Sequence, residues 1–99
     1  MKVSFHARGR ADYVALVREY ASIRRELGVR VVETFGKRAR VHAEWPDVGR
    51  HALKNYRYFT LGRFPYKVFY KKTPTGIAIM TICHNKRHPR VWRSFLRNA

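Results

Sequence analysis

The sequence predicts an α+β fold: a small antiparallel sheet that includes an N-terminal strand, with a helical hairpin packed on one face. Stretches with helical periodicity lie in the first half of the chain, and stretches rich in aromatic and β-branched residues lie in the second. A short turn that contains Pro and Gly separates two of the aromatic and β-branched stretches, residues 63–70 and 77–84. This arrangement is typical of a β-hairpin. The length suits a single domain, residues 1–99.

The first half of the chain predicts one strand and two helices. Residues 2–5 form a short strand with apolar side chains on one face. Residues 8–27 carry apolar side chains at spacings of three and four, which indicates an amphipathic helix, and Gly28 is expected to end it. A second stripe predicts a helix over residues 29–44, which Pro46 should terminate.

The second half predicts three antiparallel strands and a basic C-terminal segment. Residues 49–55 are expected to form a loop, and residues 56–61 form a strand. The strand at 77–84 is apolar at almost every position, so we expect it to be central and covered on both faces. Residues 90–98, after a proline, predict a short basic helix with one apolar side.

Charge is strongly asymmetric along the chain. Twenty-two Lys and Arg residues oppose six Asp and Glu, a formal net charge of +16, and no acidic residue follows Asp47. Such a field favours a polyanionic partner, either nucleic acid or an acidic protein. The alternative is a charged surface that only maintains solubility. A hydrophobic content of 45% excludes a disordered tail.

Several classes of protein and site are not expected. No apolar run approaches the roughly 18 residues of a transmembrane helix, and the N-terminus lacks the apolar region of a signal peptide. The lone Cys83, within an apolar strand, fits a reducing cytoplasm. The five histidines show no metal-ligand spacing, and no glycine-rich phosphate loop occurs. We therefore expect no metal, no cofactor and no membrane association.

The carboxyl end of the central strand is the best candidate site. His84 follows the apolar run, and Lys86 and Arg87 come directly after it. Histidine can act as an acid or a base near neutral pH. It can equally pack at a sheet edge and bond to the backbone. The two cations are expected to contact a partner or a phosphate, or to form part of a solvated basic surface.

Three segments carry a family resemblance. Residues 45–50 are Trp-Pro-Asp-Val-Gly-Arg, residues 63–70 are Arg-Phe-Pro-Tyr-Lys-Val-Phe-Tyr, and residues 79–92 form an apolar strand followed by a basic run and a Trp. In this order and spacing they resemble the RelE/ParE toxin superfamily of bacterial type II toxin–antitoxin systems. The resemblance covers nearly the whole chain. The Phe-Pro-Tyr segment is more similar to the ParE and plasmid-stabilisation branch than to the ribonuclease branch.

This resemblance implies a function and a set of partners. ParE-like members poison DNA gyrase, whereas RelE-like members cut mRNA on the ribosome without a metal. Both kinds act in the bacterial cytoplasm, are neutralised by a cognate antitoxin, and bind operator DNA only through that antitoxin. We therefore predict a ParE-like toxin that inhibits growth by poisoning DNA gyrase. The alternative is a ribosome-dependent mRNA endoribonuclease, and a third possibility is a toxin fold that only binds its antitoxin.

The resemblance also nominates residues. If the chain is a ribonuclease, Lys67, His84 and Arg87 are the catalytic candidates. Tyr58 and Thr60 stand where RelE-like enzymes carry lysines, which favours the ParE-like branch. The terminal aromatic residue is a Trp, which has no ionisable hydroxyl. The expected contacts with the target or the antitoxin are Arg63, Lys86, Arg87, Arg90, Trp92 and Arg93.

Overall fold

The computed structural model describes all residues 1–99 and has α+β architecture, as the sequence predicts. Its elements are β1 (Lys2–Phe5), α1 (Ala7–Ile23), α2 (Arg25–Glu44), a 3-10 turn (Pro46–Val48), β2 (Arg50–Leu53), β3 (Tyr56–Leu61), β4 (Phe64–Thr73), β5 (Gly76–His84) and α3 (Pro89–Asn98). The five strands form one sheet in the order β1-β5-β4-β3-β2. Strands β2 to β5 are antiparallel, and β1 joins β5 in parallel, so the sheet is mixed.

Strand β5 is paired on both sides, which confirms its predicted central position. The hairpin β4–β5 and the C-terminal helix are also confirmed. The loop predicted at residues 49–55 is wrong, because it contains β2, which pairs with β3 through Arg50↔Tyr58 and His51↔Arg57. This edge strand has no alternating apolar residues. Its turn depends on Lys54, which adopts a positive φ of 51°.

The helical hairpin breaks at a different residue from the one predicted. Helix α1 ends at Ile23 and α2 begins at Arg25, with the intervening Arg24 in an extended conformation (φ −163°, ψ 133°). Gly28 lies inside α2 and is buried. A Cβ atom at this position would lie 2.7 Å from the Cβ of Ala21. Gly28 therefore permits the two helices to cross closely instead of ending a helix.

The sheet is covered on both faces, which gives two apolar clusters. The larger one lies between the sheet and the α1–α2 hairpin, and its buried members are Leu16, Val31, Phe35, Ala39, Ala43, Phe59, Leu61, Phe64, Val68, Tyr70, Ile77, Ile79 and Ile82. The smaller one lies under α3, with buried members Tyr56, Phe69, Met80, Cys83 and Leu96. Both faces of β5 are thus buried, which explains its nearly continuous apolar sequence. None of the helices combines the length and the hydrophobicity that a membrane span needs.

Candidate functional site

The candidate residues of the second half meet at one end of the sheet. The antiparallel register places Tyr66 at the start of β4 opposite His84 at the end of β5. The backbone N–H of Asn85 donates to the carbonyl of Pro65 over 2.8 Å, which extends this pairing by one bond. The β3–β4 turn, which carries Arg63, therefore lies at the same end as the segment after β5. We call this the basic end; its residues are Arg63, Lys67, His84, Lys86, Arg87, Arg90, Trp92 and Arg93.

Histidine side chains organise the backbone of the basic end. Nδ1 of His84 accepts a hydrogen bond from the N–H of Lys86 over 3.0 Å, and the N–H of Arg87 donates to the carbonyl of His84 over 2.9 Å. Because Nδ1 supplies a lone pair, the neutral ring carries its proton on Nε2. His88 repeats this arrangement, since its Nδ1 accepts from the N–H of Arg90 and caps α3. His84 thus acts as a turn residue, and Nδ1 is used in holding the turn.

A cavity of about 270 Å³ lies between α1 and the end of β5. Its polar lining residues are Arg8, Asp12, Glu19, Tyr66, His84 and Arg87. The ring of Tyr66 contacts that of His84 edge-to-face, with centroids 5.0 Å apart. Burial raises the pKa of the Tyr66 phenol, and the negative charge of Glu19 raises it further. The phenol is therefore neutral at physiological pH and can donate a hydrogen bond.

Asp12 is a structural residue of this cavity that the sequence analysis did not select. Its Oδ2 accepts hydrogen bonds from the hydroxyl of Thr81 (2.6 Å) and from the backbone N–H of Ile82 (3.0 Å). Strand β1 pairs with β5 only as far as Ile79, so α1 supplies the partner for the strand edge beyond it. Gly9 allows this close approach, since a Cβ there would collide with the carbonyl oxygen of Ile79. The only available signal was the helical spacing of Asp12 from Leu16 and Arg8.

Lys67 lies on the other face of the sheet from His84. It is paired with Cys83, and its Nζ lies 3.3 Å from Oδ1 of Asn85 and 5.8 Å from the ring centre of Tyr58. Tyr58 belongs to the cluster under α3, whereas His84 and Arg87 line the cavity beside α1. His84 and Arg87 therefore line the same cavity, and Lys67 does not line it.

Trp92 attaches α3 to the sheet. Its ring is half-buried and stacks on Phe69 with centroids 4.6 Å apart and an interplanar angle of 29°. Leu96, one turn later, is fully buried. The guanidinium of Arg93 lies 5.2 Å from the centre of the Trp92 ring, in cation–π geometry. Arg90 and Arg93 are both exposed. Helix α3 is thus packed against the sheet, and its arginines are exposed to solvent.

Positive charge at the basic end is not neutralised by ion pairs. The molecule has two, Arg24–Glu26 at 3.6 Å and Lys72–Asp47 at 3.8 Å, and both are exposed. Neither includes a residue of the basic end. The resulting positive potential is therefore available to an external anion.

The loop after α2 is held by Tyr70. The Tyr70 hydroxyl donates to the carbonyl of Pro46 over 2.7 Å and accepts from the N–H of Gly49 over 3.1 Å. Arg57 donates to the carbonyl of Gly49 over 2.8 Å. Burial raises the pKa of the Tyr70 phenol, while the bond from Gly49 and the charge of Arg57 oppose this change. In the same loop region, Trp45 is 61% exposed.

The architecture of the chain is similar to that of a known protein. No protein-family model and no curated protein matches the chain. Among solved structures, a chain of the chromosomal ParDE TA system from P. aeruginosa is similar, with a TM-score of 0.69. The match covers 85% of this chain and 95% of that one, at 19% sequence identity. A likeness at this identity establishes the fold, and the RelE/ParE-like fold that the sequence motifs predict is therefore confirmed.

Proposed function

We propose that this protein is the toxin of a bacterial type II toxin–antitoxin pair. The observation that carries the proposal is the similarity to a ParDE chain over 85% of the sequence. The motifs at residues 45–50, 63–70 and 79–92 support it independently, because they resemble the same superfamily. The proposal makes a cognate antitoxin the principal partner and the bacterial cytoplasm the place of action.

We propose further that the toxin is ParE-like and inhibits growth by binding DNA gyrase. The placement of Lys67 across the sheet from His84, and outside the cavity that His84 and Arg87 line, favours this branch, because RNA cleavage needs its acid, base and cations around one phosphate. In addition, Nδ1 of His84 already accepts a hydrogen bond from the backbone N–H of Lys86. The exposed cations of the basic end, together with Trp92, would then contact the target or the antitoxin.

Purified gyrase tests the target. Addition of the protein should block supercoiling or trap cleaved DNA, because a ParE-like toxin acts on the topoisomerase itself. Translation in a cell extract that receives the same protein should continue, which is the matched control. Both reactions can be followed with the same preparation, by plasmid topology on gels and by reporter synthesis.

The opposite pattern would reject the gyrase proposal. Ribosome-dependent cleavage of mRNA, with supercoiling untouched, would instead support the endoribonuclease alternative. In that case Lys67→Ala, His84→Ala and Arg87→Ala should each reduce cleavage. Neither activity, with tight binding to the antitoxin, would indicate a toxin fold that retains only its antitoxin partner.

A further inference from the structure

Helix α3 carries a stripe of arginines on its solvent side. Arg90, Arg93 and Arg97 are spaced by three and four residues, so they share one face of the helix. All three are exposed, while Leu96 on the other side is buried against the sheet. At a rise of 1.5 Å per residue, the stripe is about 10 Å long. It is therefore a linear array of cations on a helix whose orientation is fixed by packing.

The concavity that the three arginines share is polar, whereas Val91 and Phe95 line the neighbouring concavity beside Arg90. The arginines line a shallow concavity of about 360 Å³ together with His88 and Ser94, and no hydrophobic side chain contributes. A protein partner normally needs apolar or aromatic anchors in the centre of its interface. A polar groove with three arginines suits a regular polyanion better, because guanidinium groups bind phosphate oxygens in a two-pronged geometry.

No internal anion competes for these arginines. Neither ion pair of the molecule includes them, and the chain has no acidic residue beyond Asp47. A duplex offers about one negative charge per 1.7 Å of its axis, so a stripe of this length meets more than one phosphate. The stripe and the phosphodiester backbone are therefore complementary in charge and in linear form.

The aromatic rings near the stripe already pack against other side chains of the protein. Trp92 stacks on Phe69, and Phe95 lies edge-on to His6 at 5.4 Å, with the guanidinium of Arg8 at 4.8 Å from its centre. Proteins that bind single strands use free aromatic rings on which bases stack. Since both rings of α3 already pack against protein side chains, the surface suits the backbone of a duplex better than the bases of a single strand.

We propose that α3 binds the phosphate backbone of duplex DNA directly, through Arg90, Arg93 and Arg97, without reading base sequence. This goes beyond the toxin function proposed above, and beyond the family resemblance, which implies that operator DNA is bound only through the antitoxin. It requires neither gyrase nor antitoxin. The contacts would hold the protein loosely on DNA and add a sequence-independent component to any complex that forms there.

Fluorescence anisotropy with a labelled duplex and the purified chain alone tests the proposal. The logarithm of the binding constant should fall linearly with the logarithm of salt concentration. The triple variant Arg90→Gln, Arg93→Gln, Arg97→Gln should bind the duplex at least about tenfold more weakly at low salt. The slope of this salt dependence should become less steep by about 2.7, which is about 0.9 for each phosphate that is no longer neutralised. The lysine triple variant at the same positions should keep the slope, because it keeps the charges.

A second triple variant serves as the matched control. It removes the same charge from the α1–α2 hairpin on the opposite face of the sheet, at the exposed arginines Arg18, Arg30 and Arg40. This variant should keep both the affinity and the slope to within a small factor. Equal reductions of affinity in the two glutamine variants would overturn the proposal, since they would show a general effect of net charge. Tighter binding to a single strand than to the duplex would overturn it as well. Failure of either kind leaves the gyrase assay unaffected.

Discussion

Tyr70 is a single residue that joins the centre of the sheet to the loop after α2. Its ring is buried among the larger apolar cluster, and its hydroxyl bridges the carbonyl of Pro46 and the N–H of Gly49. The last tyrosine of the segment 63–70 thus has a structural role that explains its place in the motif. It fixes the backbone that leads from the helical hairpin into the edge strand β2.

Tyr70→Phe should lower the free energy of unfolding by about 1–3 kcal/mol, because it leaves the buried N–H of Gly49 without an acceptor. Tyr58→Phe is the matched control: the Tyr58 side chain is half-exposed, and removal of its hydroxyl should change stability by less than about 0.5 kcal/mol. Urea denaturation of the two variants provides the comparison. Equal stability of Tyr70→Phe and the parent would show that the bridge contributes nothing.

The same tyrosine makes stability depend on alkaline pH. Burial raises the pKa of Tyr70 above its ordinary value of 10.0, so the folded state favours the neutral phenol. This contribution is fully present below pH 10 and is lost as the pH rises through the folded pKa. The parent should therefore lose more stability above pH 10 than Tyr70→Phe, whose side chain does not ionise, when urea midpoints are measured across that range.

At the scale of elements, the turn after β5 and the helix α3 should respond differently to substitution. Replacing Lys86 and Arg87 together by Ala should abolish toxicity with little loss of stability, because both side chains are exposed and unpaired. Replacing Trp92 by Ala should cost about 2 kcal/mol, below the roughly 3–5 kcal/mol of a fully buried ring, since this ring is half-buried. Growth arrest on induction and a thermal melt should be measured for each variant.

Two outcomes would contradict these assignments. A double alanine variant that stays toxic would show that Lys86 and Arg87 form only a solvated surface. A Trp92→Ala variant that melts like the parent yet is inactive would place Trp92 in the contact site instead of in the packing of α3.

Elements with a strong apolar period were predictable, and those that depend on tertiary contacts were not. Strand β5 and the β4–β5 hairpin followed from an uninterrupted apolar run and a Pro- and Gly-containing turn. Strand β2 lies at the sheet edge, and its sequence has no alternation of apolar and polar residues. It forms by pairing with β3. Gly28 has the local signature of a helix end, but its contact with Ala21 is visible only once the two helices are paired.

The same distinction applies to the candidate site. The sequence places His84, Lys86 and Arg87 at the end of β5, and the structure has them there. It does not reveal that Asp12, far away along the chain, bonds to Thr81 and Ile82. The face that Lys67 occupies depends on its register with Cys83, which is set by the β4–β5 turn together with a one-residue shift in the pairing between Phe69 and Tyr70.

At the scale of the whole molecule, charge and exposed apolar surface are distributed unequally. The second half of the chain has no acidic residue after Asp47, and helix α2 exposes Val29, Val32 and Val41. An acidic amphipathic segment of the antitoxin would complement both features. The proposed neutralisation complex should therefore have an electrostatic component and an apolar one.

Salt should affect mainly the association rate of that complex. Raising the ionic strength screens the long-range attraction and should slow association, whereas dissociation should change little because apolar contacts are insensitive to salt. Stopped-flow mixing with the product of a neighbouring reading frame measures both rates. Lys86→Gln with Arg87→Gln should slow association more than the matched pair Arg10→Gln with Arg18→Gln, which lies on α1. Equal association rates at low and high salt would remove the electrostatic component.

The parallel pairing of β1 with β5 has a consequence for synthesis of the protein. Strand β1 pairs with β5, which is synthesised after all the intervening elements, and residues as distant as Lys2 and Gly76 are in register. Every contact between these strands closes a long loop, which is slow compared with forming a hairpin. A nascent chain that has not yet released β5 also lacks the basic end. The structure that is proposed to be toxic is thus completed only after β5 and the segment behind it have been synthesised, when an antitoxin already present can meet it.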